Sequence, residues 1–260
     1  MSGRLCAIFI SFVILTSFPK LIIADTWQPA QFGQHPESLA KMIKFPEVEG
    51  NFTTYVRCEA KIFPGGSIDE VGCYNDPKVD DVFFRAIHIG ANGATVQPAK
   101  VGGEEVSVLT LFTVVFAQKD GQQMVATVPN HGTNVKALGM NYIAPQKYGR
   151  SNKYHPRTEL GLLWLDATMS VSGEASNIKQ IKTKRSNTET RRYAKRYLTD
   201  NTFIPGFYNG EPTEMRFVKP IFGYRNGFLW NADKTKCRDS RTTCDEQSNA
   251  TGKPRFVFDD

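Results

Sequence analysis

Histidine is scarce in this chain. His35, His88, His131 and His155 are the four present, and none stands three or four positions from another or from a cysteine. Zinc sites legible in sequence need such short spacings, so no zinc motif exists here. A Gly-x-Ser-x-Gly elbow, a phosphate-binding glycine loop and a dinucleotide fingerprint are also missing. Paired carboxylates include Asp80-Asp81, Glu104-Glu105 and Asp245-Glu246. Adjacent carboxylates point in different directions, so these pairs read as a helix start, a turn and a solvated tail. After the first 24 residues no apolar run reaches membrane length. Common enzyme chemistries therefore find no foothold, no cofactor or metal is expected, and binding or structural roles remain.

What is present suits a folded protein: 40% hydrophobic, 12% aromatic and 22% charged residues exclude disordered and fibrous classes. Arg4 precedes an apolar run over residues 5–18, followed by Pro19, Lys20 and, at Ala24, a small residue. Residues 1–24 read as a secretory signal peptide cut after Ala24, the alternative being a retained membrane anchor. Cleavage removes Cys6 and leaves Cys58, Cys73, Cys237 and Cys244. An even count in an exported chain suggests disulfides, and four cysteines allow three pairings. Spacing favours one of them. A two-residue Gly65-Gly66 turn sets Cys58 opposite Cys73 on adjacent strands. Cys237 and Cys244 enclose a short polar loop. His88 falls near the end of a predicted helix, where a cationic imidazole suits the dipole.

An internal repeat organises the chain. Gly66, Pro98 and Gly103 recur as Gly173, Pro205 and Gly210, each 107 positions later. Val56, Cys58, Ala60 and Ile62 match Leu163, Leu165, Ala167 and Met169 at the same offset. Each unit reads as strand, strand, helix, strand. In unit one the strands are 55–62, 68–74 and 106–116, with a helix over 79–89. In unit two they are 163–169, 175–183 and 213–222, with a helix over 188–198. The expected fold is α+β: two modules, each a small antiparallel sheet with a helix packed on one face. The boundaries are 25–117 and 153–224, with a linker over 118–152 and a tail, stapled by Cys237–Cys244, over 225–260. A short helix is expected over 35–42, with Pro36 in its first turn. Residues 125–128 are expected to add a short strand.

The series His35-Pro36-Glu37-Ser38-Leu39-Ala40, Gly65-Gly66-Ser67-Ile68, Val96-Gln97-Pro98-Ala99 and Gly102-Gly103-Glu104-Glu105-Val106 resembles the C-terminal domain of TonB-family energy transducers. Ser172-Gly173-Glu174-Ala175, Phe203-Ile204-Pro205-Gly206 and Asn209-Gly210-Glu211-Pro212 resemble it again in unit two. The likeness covers about 35–117 and 160–224 and lies in order and spacing. The chain differs from that family ahead of unit one, where a short stretch over 25–34 replaces a long Pro-rich linker. The resemblance implies a periplasmic protein, or an inner-membrane anchored one if the first segment is retained. It also implies a role as energy transducer or adaptor coupled to outer-membrane transport. TonB-like domains bind receptor peptides by strand addition, and an open sheet edge offers the backbone groups for it. Carried over, the edge residues are Val106, Val108, Thr110 and Phe112 in unit one, and Glu214, Arg216 and Val218 in unit two. The expected partner is thus an envelope protein or peptide, unless the rest of the chain covers those edges.

Residues 179–196 hold eight Lys or Arg against a single acid, Glu189. On the predicted helix Arg191, Arg192, Lys195 and Arg196 lie away from the apolar side. They form either a solvated face or a contact for an anionic membrane or cell-wall surface. Export argues against nucleic acid. A scaffold role in the envelope and an enzyme with an unfamiliar site are the alternative functions.

Overall fold

The structure is a computed structural model that describes residues 27–73, 79–149, 160–182 and 187–223. The signal segment 1–24, the Cys237–Cys244 pair and the tail 225–260 lie outside these residues. A leading stretch supplies β1 (Trp27–Gln28) and one helical turn, α1 (Leu39–Met42). Unit one continues as β2 (Phe52–Ile62), β3 (Ile68–Cys73), α2 (Asp81–Ala91), β4 (Ala99–Val101), β5 (Glu104–Val106) and β6 (Val108–Lys119). Then come β7 (Gln122–Val128), α3 (Val135–Leu138) and β8 (Gln146–Tyr148). Unit two comprises β9 (Leu160–Met169), β10 (Ala175–Lys182), α4 (Thr188–Thr199), β11 (Thr202–Ile204), β12 (Gly206–Tyr208), β13 (Glu211–Thr213) and β14 (Met215–Gly223).

The fold is α+β, and both units have the strand, strand, helix, strand plan with antiparallel pairing. Alternation explains it locally. In β2, Val56, Cys58, Ala60 and Ile62 are buried, while Arg57, Glu59 and Lys61 face the other side. Phe83 and Ile87 of α2 complete the core over that apolar face. In unit two Ala194, Tyr197 and Leu198 of α4 cover Leu163, Leu165, Ala167 and Met169.

The 107-residue offset governs three-dimensional pairing as well as sequence. Cys58 opposite Cys73 becomes Leu165 opposite Gln180, and Cys58 opposite Phe112 becomes Leu165 opposite Lys219. The register shift beside the first turn also recurs: Ile62–Ile68 becomes Met169–Ala175. So does the later hairpin, with Ala99–Val106 becoming Gly206–Thr213. The helix caps correspond too. Asp80 accepts from the Val82 amide at 3.1 Å, and Asn187 accepts from the Thr190 amide at 2.8 Å. Gly66 and Gly173 sit at φ 81° and 76°. A β-carbon there would run into the carbonyl of Val96 or of Phe203, so glycine is required at both corners.

Several expectations are corrected. The helix expected over 35–42 is one turn, because the preceding backbone is spent on bridges: Gln31 pairs with Gln97, and the Thr95 amide donates to the Glu37 carbonyl. Unit one's third strand divides at Ser107 into β5 and β6. The segment 118–152 does more than link. β7 and β8 both pair with β6, and β11 of unit two pairs with β8. The first sheet therefore runs β11-β8-β6-β2-β3 with β7 beside β6, and the second runs β10-β9-β14. The two units also exchange core residues. Leu111 of β6 lies in the second core, and Ile204 and Phe207 of unit two lie in the first.

Candidate interaction sites at the sheet edges and between the units

Unit one's third-strand edge is occupied by the chain itself. Val106 ends β5 and pairs with Ala99. Val108 is buried and pairs with Tyr148, while Thr113 to Lys119 pair with Val128 to Gln122 of β7. Thr110 is buried, and its hydroxyl accepts from Gln146 Nε2 at 3.2 Å. Phe112 is fully buried against Phe32, with ring centroids 5.1 Å apart. Of the four residues expected to accept a peptide, Val108, Thr110 and Phe112 are buried along this edge, while Val106 is half-buried on β5, which pairs with β4 on one side. The linker makes within the chain the pairing that a partner strand would make. The β-propensity of residues 122–128 was the available signal, and only half of that strand was legible.

Unit two's edge differs. Among the described residues β9 is the strand that pairs with β14, leaving its other side without a strand. Glu214 and Arg216 are exposed. The Arg216 guanidinium makes a two-point contact with Asp166, at 2.9 Å for each bond. On the outer side the Asn134 side chain holds both backbone groups of Arg216. Its Oδ1 accepts from the Arg216 amide at 3.1 Å, and its Nδ2 donates to the Arg216 carbonyl at 2.9 Å. Strand alternation gives Val218 and Pro220 the same outward direction as Arg216, and Pro220 has no amide hydrogen to offer. Val218 itself is buried.

The loop that delivers Asn134 is held by buried polar groups. Asn130 Nδ2 donates to the carbonyls of Met140 and Tyr142 at 2.9 and 2.8 Å, and its carbonyl oxygen accepts from the Gly132 amide. The Thr113 hydroxyl donates to the Asn130 carbonyl at 2.7 Å. His131 Nε2 is 2.7 Å from the Cys58 carbonyl, so that nitrogen carries the hydrogen. Burial holds the His131 imidazole down to about 3. Cys58 itself is disulfide-bonded to Cys73, and both are buried.

Where the units meet, Lys219 of β14 donates to Glu59 of β2. The Lys219 side chain is 6% exposed and that of Glu59 20%. Lys219 and Lys147 both lie over the Tyr197 ring, 5.6 Å from its centroid. Burial, then the charge of Lys219, lowers the Lys147 pKa. Burial pushes the Tyr197 hydroxyl well above its usual range. No sequence signal identified this cluster, because its members come from four elements.

The basic residues fall on α4 as expected. Arg192, Lys195 and Arg196 are exposed and Arg191 is half-buried. Arg192 pairs with Glu189 at 2.9 Å, and Arg191 donates to the Thr188 hydroxyl. At His88 burial lowers the pKa, which opposes the charge that a helix terminus favours.

These features define a duplicated α+β protein whose units share strands and core residues, with one third-strand edge filled and the other held by a side chain. Comparison of the chain with protein-family models, with curated proteins and with solved structures returned no match. Among the described residues no helix is long and apolar enough to cross a membrane, and no group of three metal-ligating side chains comes together.

Proposed function

We propose that this chain is a TonB-like protein-binding module of the cell envelope, acting in the periplasm as adaptor or transducer for outer-membrane transport. In this reading a partner adds an extended segment to the outer edge of β14. The observation that carries it is the Asn134 amide, which gives Arg216 the donor and acceptor that a neighbouring strand would give. A partner backbone replacing that amide exchanges two hydrogen bonds for two, each of about 1 kcal/mol, so displacement costs little. Pro220 ends the row of outward donors, which confines the added segment to about residues 214–218. The periplasmic setting and the transport role rest on the family resemblance of the sequence. The test is a photo-reactive amino acid placed at Glu214, or at Glu104 as control, followed by cross-linking in native envelopes. The expected result is one partner peptide joined at position 214, in greater yield with Asn134→Ala. Equal capture from both positions, or a yield indifferent to Asn134→Ala, would remove the reading.

The basic face of α4 favours a second contact, with an anionic lipid surface. Helix α4 carries four cations and one acid, and that acid is already paired to Arg192. Attraction between exposed charges is screened beyond about 10 Å at 0.1 M salt. Sedimentation with anionic vesicles should therefore show binding at low salt that is lost at high salt and lost with Lys195→Glu and Arg196→Glu combined. Retention under either change argues for a solvated face alone.

A further inference from the structure

The sheet edges of this protein are not equally protected. Among the described strands longer than three residues that border a sheet, β3 reads Ile68-Asp69-Glu70-Val71-Gly72-Cys73, β10 carries Lys179, and the outer row of β14 is held at Arg216 by the Asn134 side chain and ended by Pro220. Charges and proline on edge strands oppose pairing between molecules. Strand β7 reads Gln122-Gln123-Met124-Val125-Ala126-Thr127-Val128, with neither charge nor proline. None of its residues is buried, and Met124 is 52% exposed. Among the described residues it pairs with β6 on one side and with no strand on the other.

The edge is also held in shape. The β6–β7 turn is Asp120-Gly121, both residues at positive φ (50° and 79°), as a two-residue hairpin requires. Asn51 grips that turn from β2's end of the sheet: its Nδ2 donates to Asp120 Oδ1 at 3.1 Å, and its Oδ1 accepts from the Asp120 amide at 2.8 Å. Gln118 Nε2 donates to the carbonyls of Val48 and Gly50, and Gln123 Nε2 donates to Gln118 Oε1. Asn51 opens one of the chain's two Asn-x-Thr sequences, and its amide is used within the fold. A braced edge loses less entropy on pairing than a fraying one.

We propose that β7 is a self-pairing edge through which two copies of this chain join, antiparallel, about a two-fold axis. The second copy is the fitting occupant because the strand is complementary to itself. With the axis at Val125, Gln122 faces Val128, Gln123 faces Thr127 and the long Met124 faces the small Ala126, with no like charges opposed. Elsewhere the copies, each of formal charge +4 over residues 25–260, repel. A contact of seven residues per copy is small, so the dimer is weak and concentration-dependent. This site is separate from the β14 edge and does not depend on the reading of that edge.

The test is sedimentation equilibrium on the protein carrying residues 25–260, up to about 0.1 mM, alongside deuterium exchange. The expected result is a dimer fraction that rises with concentration together with slowed exchange at 122–128. Met124→Lys should weaken the dimer at least about ten-fold by setting charges near the axis. Its thermal transition should stay unchanged, since the side chain is exposed, and so should capture at Glu214. A monomer at every concentration overturns the proposal. So does a dimer that ignores Met124→Lys or leaves 122–128 exchanging as in the monomer.

Discussion

Lowering the pH from 7 to 4 should cost the protein about 3 kcal/mol of stability through His131, and His131→Gln should abolish that share of the loss. The half-buried imidazole lies between the Cys58 carbonyl, which accepts its hydrogen, and the charges of Arg57 and Lys219. Burial is the largest influence on it and opposes protonation, the two cations oppose it further, and the carbonyls of Cys58 and Phe112 favour it. In the unfolded chain the group titrates near 6.5, and in the fold near 3. Above pH 6.5 both states are neutral and the full stability is present. Below it the unfolded chain takes up a proton that the fold refuses, so stability falls as pH drops toward 3, by about 1.4 kcal/mol per pH unit. Burial lowers the pKa of His88 as well and adds to the same trend. Urea denaturation of the parent and of His131→Gln at pH 7, 5.5 and 4 measures the difference, with carboxylate titration common to both. Parallel pH profiles would show that His131 is protonated without penalty.

Much of the fold was legible because its signals are local. Glycine at 66 and 173 marks corners that no β-carbon can occupy, and two-residue periodicity in β2 and β9 separates buried from exposed faces. Cys58 does lie opposite Cys73, but not through the two-residue turn expected: Phe63 pairs with Ser67 around Pro64, Gly65 and Gly66, and a register shift between Lys61 and Ile62 restores the alignment. The legible part stopped where a residue's partner lies far along the chain. Gln146 donates to the Ala30 carbonyl and accepts from its amide, 116 positions away, and no spacing rule reports such a bond. The third-strand edge of unit one looked open because a strand's hydrophobic alternation says which face is buried and nothing about which side is paired. Its occupants, β7 and β8, are short or polar, and they gain their structure from the edge they fill. The outer face of the first sheet misled for a related reason. Arg57, Glu59 and Lys61 alternate with apolar residues as a solvent-facing row would, yet Glu59 meets unit two.

Glu59→Gln should destabilise the protein by about 3–5 kcal/mol, while Glu59→Gln combined with Lys219→Phe should return to within about 1 kcal/mol of the parent. Lys219 lies on the helix-facing side of β14, opposite Leu165, at the register position that Phe112 holds in unit one. Phe112 is fully buried in an apolar core. Lys219 is almost as buried, and its ammonium is met by Glu59 and by the face of Tyr197. Removing the carboxylate strands a cation among apolar groups, with Lys147 adding a second positive charge over the same ring. A neutral ring of similar size at 219 restores the packing that the equivalent site in unit one uses. Chemical denaturation of the two single variants and the double variant gives the coupling directly, and at this burial it should persist in about 0.5 M salt. A loss under about 1 kcal/mol for Glu59→Gln, or simple additivity in the cycle, would mean that solvent compensates the ammonium. The ion pair is then best understood through the exchange of core residues around it. Leu111 crosses into the second core and Ile204 and Phe207 cross into the first, and apolar contacts of that kind tolerate sliding. A buried charge pair between β2 and β14 does not, so it fixes where the second unit sits on the first and, with it, which edge of β14 faces outward.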